Sequence, residues 1–364
     1  MKHYFIKTYG CQMNVADSNK IAEVFNLHGF EQIPDEKMRW PQQKAKLSKC
    51  DFFLVNTCCI REAAENRAFS YINALKVFKK KNPNVIIGIC GCIPKEEHID
   101  LKSKFPFVDI IFGPNEIGKL EEFLKPHISY SPSPLVRGKY VTIMTGCDNF
   151  CSYCVVPYVR GREYSRPMDE ILDEIKGLLD QGVSDITLLG QNVNSYKYNL
   201  AKLMTEIENI FALPACRQAG ALRFMTSHPR DMSDELIETI KNCPHAARDF
   251  HLPLQAGDDE ILKKMNRGYN IEYFRGRVKK IKELMPEATI TTDIIVGFPG
   301  ETEEQFNNTL DRVREFRFNA VNMAAYSMRP QTAAAKMPGH LPENIKQERL
   351  GKLKKVVVAW RSRG

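Results

Sequence analysis

Three cysteines fall in one short run, GCDNFCSYC, at Cys147, Cys151 and Cys154. Spacings of three intervening residues and then two, with no fourth cysteine close behind, make one compact loop the source of all three thiols. A cubic iron-sulfur cluster usually takes four thiolates, so such a loop leaves one iron without a protein ligand. The amino and carboxylate groups of S-adenosylmethionine can chelate that iron, and an electron passed from the cluster then splits the sulfonium to give a 5'-deoxyadenosyl radical. Zinc, or another iron-sulfur role, is the competing reading. Structural zinc sites favour paired C-x-x-C hooks from two places in the chain, whereas this loop supplies three thiols alone, with Tyr153 just before the last.

Composition fits a reducing compartment. Eleven cysteines in 364 residues would suggest disulfides in a small secreted chain, and this chain is neither small nor led by an apolar signal stretch. MKHYFIKTYG starts as an amphipathic strand, and no window approaches the roughly 18 apolar residues of a membrane span. The expectation is a soluble, cytoplasmic protein with no membrane partner. A hydrophobic fraction of 43% supplies buried cores for two or three domains. The net charge of +8 permits a nucleic-acid partner through phosphate contacts, without requiring one.

The first 127 residues alternate strand and helix patterns. Short apolar runs at Tyr4 to Ile6, Phe52 to Val55, Val85 to Ile89 and Val108 to Phe112 read as buried parallel strands. Helical spacing covers Ala16 to Leu27 and Arg61 to Lys80, the latter stopped by Asn82-Pro83. Between the first helix and second strand, PDEKMRWPQQKAKLSK is polar and longer than a median loop, a surface insertion or an RNA-touching loop. Residues 128–138 form a linker around SYSPSP, where proline and serine remove any reason to pack.

A second module, 139–364, follows. Its strand candidates are Tyr140 to Met144, Ile186 to Leu189, Leu222 to Met225, Phe250 to Leu254, Thr289 to Val296 and Val321 to Tyr326, with helical segments such as Ile171 to Leu179 and Ile271 to Leu284. Six strand-helix units make an incomplete barrel, open at the side to a large substrate. The expected fold is thus α/β throughout, an open parallel sheet domain followed by an incomplete (β/α)6 barrel. The cysteine loop sits after the first barrel strand, on the face where βα loops carry chemistry in the complete eight-unit barrel.

Cys11, Cys58 and Cys92, in YGCQMN, NTCCIRE and CGCIPKE, each follow the carboxyl end of a predicted strand of the first module. Those ends converge on the ligand crevice of an open α/β sheet, so three thiols distant in sequence can meet around a second cluster, again with one iron open. Any one of them alone reads as an ordinary buried cysteine; in matching positions they read as a ligand set. Cys59 and Cys90 lie beside the proposed ligands without joining them, and Cys50, Cys216 and Cys243 go to packing or surface.

The chain resembles the radical S-adenosylmethionine methylthiotransferases, specifically the group that adds a methylthio group to isopentenyladenosine in tRNA. YGCQMN, NTCCIREAAENR, IIGICGC, DIIFGP, GCDNFCSYCVVPYVRGRE, LLGQNVNSY, TSHP, HLPLQAGDD and DIIVGFPGETEEQF carry the likeness from Lys2 to about Arg349. Gln12-Met13-Asn14 marks this group; relatives acting on threonylcarbamoyladenosine or a ribosomal-protein aspartate differ there. The resemblance implies an auxiliary 4Fe-4S cluster on Cys11, Cys58 and Cys92, and a cofactor-cleaving 4Fe-4S cluster on Cys147, Cys151 and Cys154. It implies S-adenosylmethionine as cofactor, sulfur insertion at carbon 2 of the adenine at tRNA position 37, and, as partners, the anticodon stem-loop, a low-potential electron donor and a sulfur source. The target carbon is an unactivated C-H, which calls for a radical, and the base must be unstacked to reach it.

Other positions carry weaker expectations. Tyr153 shields the cluster or stacks near adenine, or simply packs. Gln191 and Asn192 point to the barrel mouth as holders of the cofactor's polar groups, or form a turn. Gly297 and Gly300 in GFPGE let backbone approach a ligand, or serve the strand-to-helix turn. His228 and His251 are barrel-mouth contacts or hydrogen-bonded structure. Arg160, Arg162 and Arg166 meet RNA phosphate or form a solvated basic face.

Two features depart from the resembled family. Its members usually carry a small RNA-binding β-barrel after the radical module, and no barrel-sized segment remains before LKKVVVAWRSRG ends the sequence. Gln331, in Arg329-Pro330-Gln331-Thr332, stands where the family usually has glycine, which puts that turn in question. The alternatives are the same chemistry on threonylcarbamoyladenosine or a ribosomal-protein aspartate, or an inactive iron-sulfur RNA-binding remnant.

Overall fold

The structure is a computed structural model that describes residues 2–36, 40–59, 62–96, 98–125, 140–213 and 219–361. It divides into two compact units, Met1–Gly138 with Tyr158–Gly161, and Lys139–Pro157 with Arg162–Gly364. The proline-serine linker and Cys216 lie outside the described residues.

The first unit holds one parallel sheet of β1 (Lys2–Thr8), β2 (Phe30–Gln32), β3 (Phe52–Thr57), β4 (Ile86–Gly91) and β5 (Ile110–Ile111), in the order β2-β1-β3-β4-β5. Every residue of β3 is buried, because helices cover both faces of a central parallel strand. Gly88 in β4 is required by that packing: a Cβ there would fall 2.7 Å from Leu54 Cδ1. Aromatic rings fill one face, with Tyr4 stacked on Phe25 at 4.3 Å and Phe52 edge-on to Phe25 at 4.8 Å. The strand order reverses between β1 and β3, and the crevice at such a reversal is where doubly wound sheets bind ligands.

Two elements here depart from the sequence reading. β2 is three residues long with only Phe30 buried, too short to show a period. The stretch expected as a surface insertion or loop contains a helix, Trp40–Lys46. Its Trp40 ring packs edge-on against Tyr71 and Phe78, at 5.6 and 6.3 Å, and Leu47 behind it is buried.

The second unit is built on β6 (Tyr140–Thr142), β7 (Met144–Thr145), β8 (Tyr164–Ser165), β9 (Ile186–Leu189), β10 (Leu222–Phe224), β11 (Asp249–His251), β12 (Thr289–Val296) and β13 (Ala320–Ala325). Parallel sheets β10-β9-β6 and β11-β12-β13 are joined through Leu222, whose amide donates to His245 and whose carbonyl accepts from Ala247. The result is the six-unit open parallel array expected.

Flanking helices bury one stripe each. In Leu200–Phe211 the buried positions are Leu200, Ala201, Leu203, Met204, Ile207, Ile210 and Phe211, the spacing of a core-facing helix. Side-chain oxygens of Asn199, Ser233, Asp258, Asn270 and Thr302 cap the helices that follow them, each worth about 1 kcal/mol.

The expected first barrel strand is broken in two. At Ile143 the chain turns: its amide still bonds Leu189, but its carbonyl accepts from Arg166, and β7 pairs antiparallel with β8. β11 is likewise shorter than expected, because Pro253 has no amide to continue the ladder; pairing with β12 resumes at Gln255.

Candidate functional site

The loop of Cys147, Cys151 and Cys154 begins at Gly146, whose φ of +75° reverses the chain as it leaves β7. It is braced from the segment 264–267. Ser152 donates its amide to Met265 O at 3.0 Å and its hydroxyl to Lys264 O at 2.8 Å. Asn266 Nδ2 donates to the carbonyls of Asn149 and Phe150, both at 3.1 Å. Arg267, buried, sends Nη1 to Cys151 Sγ at 3.2 Å and to the Tyr153 hydroxyl at 3.3 Å. Burial pushes the Cys154 thiol up to about 12 and the Cys147 thiol upward, as expected of thiols awaiting a charge partner.

Around this loop, buried polar atoms lack partners. Gln191 Oε1 and Asn192 Oδ1 follow β9, His228 Nε2 follows β10, and Gln255 Oε1 follows β11; none has a hydrogen-bond partner. Unpaired buried polar groups cost about 1–3 kcal/mol each, so four on neighbouring strand ends fit a polar ligand. Two of the four, Asn192 and His228, are held by neighbouring side chains. Asn192 Nδ2 donates to Asp231 Oδ2 at 2.7 Å, Arg230 donates to Asp231 and to Asn149 Oδ1, and the His228 ring lies 5.6 Å from that of Tyr269. Thr226, at φ +66°, is strained for a β-branched residue, a condition typical of sites held by their surroundings.

The remaining sequence candidates have internal explanations. Gly297 (φ +74°) and Gly300 (φ +72°) sit in a turn that needs glycine, but Lys346 Cγ lies 2.4 Å from where a Gly297 Cβ would be, and the Gly300 amide donates to Gly339. His251 bonds Thr291 at 2.9 Å and Asp293 at 3.2 Å. Arg162 pairs with Asp148 at 2.7 Å, and Arg166 with Glu174 and Thr142 O, both at 2.7 Å. Arg160 is buried on Asp17 at 2.8 Å, so the three arginines are not one free basic face. Gln331 does not have a left-handed φ; the turn is closed by Thr332, whose amide and hydroxyl both bond Arg329 O, and glycine is not needed there.

In the first unit, Cys11 stands directly before the helix Gln12–Leu27, without a capping hydrogen bond from its side chain, while Cys58 and Cys92 directly follow β3 and β4. All three therefore sit at the carboxyl ends of adjacent strands. Close approach is visible at Gly10, where a Cβ would lie 2.6 Å from Cys58 Cβ. Buried amides lock the corner: Asn14 Nδ2 donates to Asn56 Oδ1 at 3.1 Å and Thr57 O at 3.0 Å, and Asn56 Nδ2 returns to Asn14 O at 2.8 Å. Hydrogen bonds from Cys59 and Arg160 hold the Cys92 thiol below its ordinary range, and Cys11 is also within the electrostatic reach of Arg160. Cys90 points into the apolar core and its thiol is pushed up by burial. No disulfide forms among the described cysteines.

Among the described residues no three His, Cys, Asp or Glu side chains converge on a single ion's position. A cubane binds each thiolate at a different iron and asks for thiols around a volume. Both sets meet that demand in donor type and in their placement at strand ends.

Sequence reasoning found the cysteines and missed their surroundings. Arg267, Tyr269, Asn266, Gln255 and Asp231 were not singled out: MNRGYN carries no local signal of a role, and HLPLQAGDD and TSHP marked the family without marking Gln255 or the neighbouring Asp231.

Comparison with known proteins agrees. Residues 141–313 match the radical SAM superfamily and residues 3–113 match the uncharacterized protein family UPF0004. The fold matches a radical S-adenosylmethionine methyltransferase, TsrM from Kitasatospora setae, at TM-score 0.66 and 16% identity over 92% of this chain and 77% of that one. It also matches the cobalamin-dependent radical enzyme OxsB at TM-score 0.60 and 11% identity, over 99% of this chain and 56% of that one. The open barrel with its three-cysteine loop defines a protein of the radical SAM class. A tRNA-2-methylthio-N(6)-dimethylallyladenosine synthase from Pelotomaculum thermopropionicum is 44% identical over 98% of this chain and 82% of its own length. Namesakes from Clostridium botulinum and Carboxydothermus hydrogenoformans are each 42% identical over 97% of this chain, and 79% and 82% of theirs. The chain belongs to the tRNA-2-methylthio-N(6)-dimethylallyladenosine synthase family.

Proposed function

We propose that this protein inserts a methylthio group at carbon 2 of N6-isopentenyladenosine, position 37 of the tRNA anticodon loop. Cys147, Cys151 and Cys154 would hold one 4Fe-4S cluster, and Cys11, Cys58 and Cys92 a second. Bound together with S-adenosylmethionine, these groups supply reductive cleavage of the sulfonium and a site for the sulfur that is transferred.

The protein's own contribution is positional. Asn266 and Ser152 fix the cysteine loop, and Arg267 sets a positive charge against it. Gln191 and Asn192, each with a partnerless buried oxygen, are the holders proposed for the cofactor's amino group, joined by Gln255; Tyr153 packs beside the loop as its shield. Gly297 and Gly300 would contribute through the backbone of their turn. A neutral His228 offers Nε2 as a further contact. The proposed partners are substrate tRNA and a low-potential electron donor, and the proposed location is the cytoplasm.

The observation that carries this reading is the presence of two three-thiol sets, one at the carboxyl ends of the parallel strands β1, β3 and β4 and one in the loop after β7, each touched by one buried guanidinium. Anaerobic reconstitution tests it. The expected result is about eight irons per chain, two cubanes of four, release of 5'-deoxyadenosine, and a methylthio product on isopentenyladenosine-containing tRNA. A product only on threonylcarbamoyladenosine, or eight irons without 5'-deoxyadenosine, would overturn it.

A further inference from the structure

Arg267 is one of the few arginines that the fold buries, at 4% exposure, and its surroundings differ from those of the buried Arg160 and Arg349. Arg160 faces Asp17 at 2.8 Å and Arg349 faces Glu301 at 2.7 Å. Among the described residues no carboxylate pairs with Arg267. Its donors go instead to Pro253 O at 3.0 Å, to the Tyr269 hydroxyl at 3.2 Å, and through Nη1 to Cys151 Sγ at 3.2 Å and the Tyr153 hydroxyl at 3.3 Å. An unpaired buried cation is costly, so a guanidinium fixed by three neutral oxygens and aimed at a thiol points to an anion at that thiol.

The fork is held from several sides. Tyr269 OH donates to Pro253 O at 3.0 Å and Leu254 O at 2.9 Å, which ties the guanidinium's neighbours to the segment after β11. The loop itself has independent anchors in Ser152 and Asn266. Removing the charge therefore need not release the cysteines.

Resting on the functional reading above, we infer that Arg267 is a positioning residue of the cluster on Cys147, Cys151 and Cys154, where its hydrogen bond and charge on Cys151 raise that cluster's reduction potential. A cluster accepting one electron becomes more negative, and donors to its sulfurs favour the reduced form. Its part is to make the electron's arrival at the cluster easier.

The test uses the full chain carrying Cys11→Ala, Cys58→Ala and Cys92→Ala, so that one cluster remains, titrated potentiometrically with detection by electron paramagnetic resonance. The parent is expected to hold about four irons. Arg267→Gln is expected to keep them and to titrate at a more negative midpoint, about 59 mV for each tenfold loss of reduced cluster at fixed potential, with Arg267→Lys between. A glutamine variant with full iron and the parent's midpoint overturns the inference. Should that variant lose its iron, guanidino-15N-arginine labelling of the parent decides: a nitrogen hyperfine coupling on the reduced cluster supports the contact, and its absence overturns it. A chain with all six cysteines intact that takes up no iron would sink the functional reading itself, a result distinct from either.

Discussion

His228 shows how far a side chain's chemistry is set by its neighbours. Its Nδ1 accepts from the Arg230 amide at 3.2 Å and its ring is buried. Burial first, then the nearby charges of Arg267 and Arg230, push its pKa down to about 2, so the imidazole stays neutral at any working pH. The sign of the pH effect follows. Below the unfolded value of about 6.5 the unfolded chain takes up a proton that the folded chain refuses, so this contribution is complete above that pH and is lost as pH falls. We expect His228→Asn to flatten the fall in unfolding free energy of the metal-free protein between pH 7.5 and 5.5, by up to about 1.4 kcal/mol per pH unit; denaturant titrations at both pH values check it. Arg160 makes a second case. Arg160→Gln should cost roughly 2 kcal/mol, because it removes a charged hydrogen bond from the half-buried Asp17, and adding Asp17→Asn should recover part of that loss in thermal unfolding. The cysteines proposed as cluster ligands stood out in the sequence because few residue types do such work, and because spacing marks one set and position after strands the other. Arg267 and Gln255 did not, because an arginine's or glutamine's role depends on what tertiary folding brings against it.

At the scale of elements, the corner between β1, β3 and the helix Gln12–Leu27 is closed by amides. Asn56 is fully buried and spends its Nδ2 on Asn14 O and Ser18 Oγ, at 2.8 and 2.9 Å. Asn56→Leu should cost roughly 2–4 kcal/mol by stranding several buried groups. Because Cys11 and Cys58 flank that corner, the variant should also fall from about eight irons toward about four, which iron analysis with Mössbauer spectroscopy would register. The same contacts give Asn14 a structural duty inside the Gln12-Met13-Asn14 triplet that sequence reading treated as a marker of the acceptor. The long elements were readable because an apolar run or a helical stripe repeats often enough to be seen. β2, the helix Trp40–Lys46 and the β7-β8 hairpin were not: two to seven residues carry no period, and the turn at Ile143 is made by hydrogen bonds to Leu189 and Arg166.

For the whole molecule, the order of modules and the open parallel array followed from the alternation of strands and helices, since parallel neighbours need a crossover between them. No helix among the described residues is long and apolar enough to cross a membrane. Each thiol set lies within one unit, so loading should be independent. The triple alanine variants at Cys11, Cys58 and Cys92, and at Cys147, Cys151 and Cys154, are each expected to bind about four irons, and a set whose loss empties the other would contradict this. One stretch complicates any picture of two interchangeable halves. Residues Tyr158–Gly161 follow the cysteine loop in sequence yet belong to the first unit, where Arg160 bonds Asp17 and Cys92. A gene severed between the halves, or a chimera joining the front of one homologue to the back of another, would supply that arginine from the wrong parent, so recombination between family members must respect a seam that zigzags along the polypeptide.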